Sequence, residues 1–109
     1  MAAPNQQQQQ QQGGISITPP HQETLKHASI LAIKQDKPIM MDYYAYAQLG
    51  RCSLKKTTEQ DTILFKSAEE YTSPLKKVFR IDKSLTNGKT DVIAISENSI
   101  YIVHSNIFG

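Results

Sequence analysis

The chain has 109 residues, with 12 Lys and Arg against 10 Asp and Glu for a formal charge of +2, and one cysteine. That length admits one small domain with a tail and excludes a second independent core. The near-neutral balance lacks the basic character of a dedicated nucleic-acid neutraliser, and Cys52 alone closes no internal disulfide, which points to a reducing compartment.

At the N-terminus, "MAAPNQQQQQ" has no basic residue followed by an apolar run, so it does not read as a secretory signal. No apolar stretch reaches bilayer-spanning length. The expectation is a soluble intracellular protein. Gln6–Gln12 and the following Gly13-Gly14 bury too little apolar area to offset the entropy of ordering the backbone. Residues 1–19 therefore read as a flexible Gln-rich arm, and residues 20–109 as a single domain. Within the arm, Ile15 and Ile17 alternate with Ser16 and Thr18 at a period of two, as in a strand or extended clamp laid on a partner's sheet edge.

Thr18 before Pro19-Pro20 is a helix-start signal, and "HQETLKHASILAIKQDK" predicts a helix over about residues 20–36. Leu25, Ala28, Leu31 and Ala32 share one face, widened by Ile30 and Ile33, and Pro38 ends the pattern. The remainder predicts strands at about 39–47, 51–57, 62–66, 76–82, 91–96 and 99–104, divided by turns at Glu59-Gln60-Asp61, Asn87-Gly88 and Glu97-Asn98. "SAEEYTSP" fits either a single helical turn capped by Ser67 or a polar loop. The fold class expected is α+β: one N-terminal helix packed on a small, strongly bent antiparallel sheet or open barrel.

Reactive constellations are sparse. His21 and His27 face different sides of the helix, and no cysteine or carboxylate completes a metal set with them. Cys52 follows Arg51 without a visible Cys-His-Asn arrangement, and the five glycines form no phosphate-cradling loop. No catalytic residue, cofactor or metal is assigned, and the reading is non-enzymatic. Two contact surfaces remain. In the first, Met40, Asp42, Tyr44 and Tyr46 share the wetter face of the strand at 39–47, with Met41, Tyr43, Ala45 and Ala47 toward the core. In the second, Lys55, Lys56, Lys76, Lys77 and Arg80 on a small sheet face, with nearby aromatics, would bind nucleic acid.

Three stretches, "QDKPIMMDYY", "KSAEEYTSPLKKVFRI" and "ENSIYIV", together resemble small proteins of large nucleocytoplasmic DNA viruses, the group that includes the giant and algal viruses. The resemblance implies a virus-encoded protein and carries no catalytic residue with it. The function expected is a structural component, a minor capsid or other virion-associated protein. Its contacts with protein subunits, capsid proteins among them, would use Ile15, Ile17, Asp42, Tyr44 and Tyr46. The alternative is a nucleic-acid-binding accessory protein using the lysine pairs.

Overall fold

The computed structural model describes residues 17–86, 88 and 90–108; the glutamine tract and Ile15 lie outside them. The expected α+β class holds, with a second helix and two sheets where one bent sheet was expected. Helix α1 runs Gln22–Gln35. Its cap is His21, whose Nδ1 accepts from the Glu23 backbone N–H at 3.0 Å. Thr18, the expected cap, is tied elsewhere: its N–H donates to Gln48 Oε1 and its hydroxyl accepts from Gln48 Nε2, both at 3.0 Å. The helix ends where Asp36 turns left-handed at φ 54°, a conformation that short polar side chains tolerate. Lys37 then reaches across to donate to the Ser96 carbonyl at 2.8 Å.

The expected strand at 39–47 is the main correction. Only β1, Ile39–Met40, is extended, and helix α2 covers Tyr44–Gln48. The buried residues Tyr43, Tyr44 and Ala47 follow helical spacing, and Met40 continues that series. Gly50, at φ +76°, closes the helix: its N–H donates to Ala47 O at 3.0 Å, and Arg51 N–H donates to Tyr46 O at 2.7 Å. That paired bond is a Schellman termination, which favours glycine because a Cβ strains the left-handed backbone.

Strands β2 (Ser53–Lys56), β3 (Thr62–Ser67) and β4 (Glu70–Tyr71) form an antiparallel sheet in that order. The "SAEEYTSP" segment is thus a tight turn, with Glu69 N–H donating to Ser67 Oγ at 3.2 Å, followed by a short strand. Strands β5 (Leu75–Arg80), β6 (Asp91–Ser96) and β7 (Ile100–His104) complete a four-stranded sheet ordered β1-β7-β6-β5. Its β1–β7 pair is parallel, held at its entrance by Ile100 N–H donating to Pro38 O at 2.9 Å. The β6–β7 hairpin turns at residues 97–98, and neither residue takes a positive φ. Instead the Ser96 and Ser99 backbones pair at 2.9 Å, and Ser96 Oγ accepts from Ser99 N–H at 3.1 Å. A 3-10 turn over Ser105–Phe108 follows β7.

The four-stranded sheet is the middle of three layers. Ile93, Ile95, Ile100 and Ile102 on one face pack with Ala28 of α1, Tyr44 and Ile81. Val92, Ala94, Tyr101 and Val103 on the other pack with Tyr43, Ala47, Cys52, Leu64 and Ile107. Covering on both faces explains why β6 is buried along its whole length and why "DVIAIS" and "IYIV" read as near-continuous apolar runs. Each fully buried isoleucine contributes about 1.5–3 kcal/mol of burial free energy.

Candidate interaction surface

Among the described residues one acid is buried, and it opens β6. Asp91 is fully buried and faces α1, and its carboxylate draws three elements together. Oδ2 accepts from Thr24 Oγ1 at 2.7 Å and from the His21 N–H at 2.8 Å, and Oδ1 accepts from Tyr44 Oη at 2.7 Å. Register sets His104 directly opposite Asp91, and the Tyr44 ring meets the imidazole edge-on at 6.3 Å. Burial, then the bond to and charge of Asp91, push the Tyr44 phenol well above its ordinary range. The arrangement fixes α1, α2 and β6 against one another. Tyr44, expected on a wet strand face, is 3 % exposed, so its side chain offers no outer surface. Asp91 was not singled out from sequence, since its donors lie 47 to 70 positions away.

Asp42 and Tyr46 do reach the surface, in company the sequence did not indicate. Lys66 Nζ sits 4.2 Å from the Tyr43 ring centre and 4.1 Å from that of Tyr46. It pairs with Glu70 at 3.1 Å and with Asp42 at 3.9 Å. Two ring faces and two carboxylates hold a cation whose side chain is 8 % exposed, a cation–π clamp that joins α2 to β3. Tyr43 is pushed up to about 12, by burial first and then by Glu70. Cys52, beneath the same region, is pushed up to about 11 by burial, partly offset by Lys66, and is no poised thiolate.

The five cations of the nucleic-acid reading do not converge. Lys55 lies over the Phe65 ring at 4.4 Å, on the face of β3 opposite Leu64, while the neighbouring Lys56 points to the other face of β2. Lys76 pairs with Glu97, Lys77 lies 5.8 Å from the Phe79 ring, and Arg80 stacks 4.5 Å from the ring of Phe108. They are distributed over two sheets and four faces, without a continuous basic track.

Helix α1 presents the most apolar outer surface. The expected core face is narrower than its sequence pattern: Thr24 and Ala28 are buried, Leu31 and Ala32 half-buried, whereas Ile30 is 46 % and Ile33 82 % exposed. Ile30 also lines an open depression of about 110 Å³ with Glu23, Lys26 and His27. Ile17, at the approach to the helix, is exposed.

No protein-family profile, curated protein or solved structure matches this chain.

Among the described residues no three metal-capable side chains gather in one place, and no helix is long and apolar enough to cross a membrane. His27 rests 5.8 Å from the Phe79 ring, and His21 caps α1. His104 Nδ1 accepts from the Asn106 N–H at 3.1 Å, which leaves Nε2 against Thr90 Oγ1 at 3.2 Å. Each of the three histidines thus contacts another residue of the domain. Outward apolar area includes Leu25, Ile30 and Ile33 on α1, with Tyr46 beside Asp42 and single exposed side chains such as Tyr71 and Leu85 elsewhere.

Proposed function

We propose that the protein is a non-enzymatic interaction component, a structural part of a larger assembly. The observation that carries this reading is the outward pair Ile30 and Ile33, apolar area that the domain's own three layers leave uncovered. A protein subunit laid along α1 would bury both, seat a side chain in the depression beside Ile30, and extend toward Ile17. Tyr46 and Asp42 supply a second, amphipathic contact point. The virion placement, as a minor capsid or other particle-associated protein, rests on the resemblance of three sequence stretches to proteins of large DNA viruses.

A photo-crosslinking residue in place of Ile33, with Glu59 as control, tests the contact in the cells where the protein is naturally made. A discrete adduct from position 33 and none from position 59 supports the reading. No adduct, or equal adducts from both positions, contradicts it. Mass spectrometry of purified particles tests the placement, which fails if the protein is abundant in infected cells and missing from particles.

The nucleic-acid reading has less support, since its cations are dispersed and three of the five lie on aromatic rings of the domain itself.

A further inference from the structure

Strand β5 is an edge of the four-stranded sheet, and at six residues it is longer than the other edges, β1, β2 and β4, which have two, four and two. Its inner side is fixed by β6. Ile81 N–H donates to Asp91 O at 3.0 Å, the next rung after Arg80 opposite Val92. Rungs of an antiparallel ladder alternate between bonded and non-bonded pairs, so the backbone N–H and C=O of Val78 and Arg80 turn away from β6. They form two ready donor–acceptor sets on a sheet edge. A bulge at Lys76 interrupts the ladder before them.

The chemistry along this edge selects its occupant. Lys76, Lys77 and Arg80 place three cations in six residues. Lys76 is met by Glu97, whereas neither Lys77 nor Arg80 has a carboxylate within 4.0 Å among the described residues. Both are exposed, and between them Val78 and Phe79 are half-buried. A second copy of β5 would bring three more cations to the same seam, with Lys76 opposite Arg80 in the register centred on Val78. Lysine on an edge discourages such self-pairing. The same charges favour a strand that carries carboxylates.

We propose that β5 is a docking edge for an acidic extended segment of a partner protein, which adds as an antiparallel strand outside β5. Its backbone bonds to Val78 and Arg80, its carboxylates meet Lys77 and Arg80, and an apolar side chain packs by Phe79. Main-chain bonds give such an added strand its affinity, and the flanking side chains give it selectivity. This names a partner chemistry for the interaction reading and rests on it only in taking the protein to act by contact. The β5 edge and the outer face of α1 are separate surfaces, so either can fail alone.

The test uses the full chain and a short acetylated, amidated peptide of valine and threonine with two glutamates three positions apart, which puts one carboxylate on each face of the added strand as Lys77 and Arg80 require, read by residue-resolved amide exchange. With the peptide at saturation, exchange at Val78 and Arg80 slows by at least about tenfold, the signature of newly bonded amides. The same peptide with lysine for glutamate leaves both amides unchanged, and the exposed pair Lys77→Glu with Arg80→Glu reverses the preference. Unchanged exchange at Val78 and Arg80 under the acidic peptide overturns the proposal. So does equal protection by both peptides, or binding of single-stranded oligo(dT) at β5 where the acidic peptide does not bind. A lost crosslink at Ile33 with protection intact at β5 would remove the α1 surface and leave this edge standing.

Discussion

Removing one oxygen, by Tyr44→Phe, tests whether Asp91 organises the domain. The phenol donates to Asp91 Oδ1 at 2.7 Å from a side chain only 3 % exposed. Phenylalanine keeps the ring among Ile93, Ile100 and Ile102 and its edge contact with His104, so no cavity is opened. What is lost is one hydrogen bond to a carboxylate, and what remains is a fully buried acceptor short of one donor. Bonds to charged groups contribute about 1.5–3 kcal/mol, so a loss of about 2 kcal/mol is expected. In a domain of this size that lowers the melting midpoint by roughly 8–16 °C. Thr24→Val removes a second donor, on Oδ2. Because both bonds end on one carboxylate, the double variant departs from the sum of the two by more than about 0.5 kcal/mol. Urea unfolding followed by circular dichroism measures these differences as shifts in midpoint at constant m-value. Tyr46→Phe, which alters a phenol 45 % exposed, is the control and changes stability by less than about 0.5 kcal/mol. If Tyr44→Phe is indistinguishable from that control, Asp91 is not the organising group.

Three further outcomes follow from the same geometry. Lys66→Met keeps the aliphatic stem and removes the charge held between the Tyr43 and Tyr46 rings, and is expected to cost about 1–2 kcal/mol in the same unfolding assay. Gly50→Ala meets no atom within 4 Å but must hold φ +76°, so its cost of about 1 kcal/mol is purely conformational; a larger loss would mean α2 is packed more tightly than described. Folding raises Tyr43 and Tyr44 above the ordinary 10.0, so their contribution to stability is complete below pH 10.0 and disappears as pH climbs through the raised values. Unfolding midpoints should therefore be insensitive to these two phenols below pH 10.0 and fall between there and about 12. A fall over the same range in a Tyr44→Phe variant that matches wild type in size would contradict this.

Much of the sheet was legible because its signals are local. "DVIAIS" and "IYIV" are β-branched runs of strand length, and the structure makes them β6 and β7. Helix α1 was readable from its periodicity, but the width of its buried face was not. Thr24 is fully buried because Asp91 accepts its hydroxyl, a bond across 67 positions, while Ile33 points outward. Helix α2 was obscured by composition. Tyr43, Tyr44 and Tyr46 favour strands by propensity and alternate convincingly, yet the spacing Met40, Tyr43, Tyr44, Ala47 and the terminating Gly50 are helical signals. Tertiary packing of Tyr44 onto Asp91 decided between the two. The parallel β1–β7 pair was invisible for a different reason: two residues carry no periodicity.

If Ile30 and Ile33 serve contact and not folding, the double variant Ile30→Glu with Ile33→Glu should lose the first and keep the second. Surface changes of this kind alter stability by less than about 0.5 kcal/mol, so the melting midpoint should stay within about 4 °C of wild type. In size-exclusion of extracts from the cells that naturally make the protein, wild type should elute with an assembly and the variant at the mass of the free chain. An unchanged elution, or a variant that fails to fold, would contradict the claim.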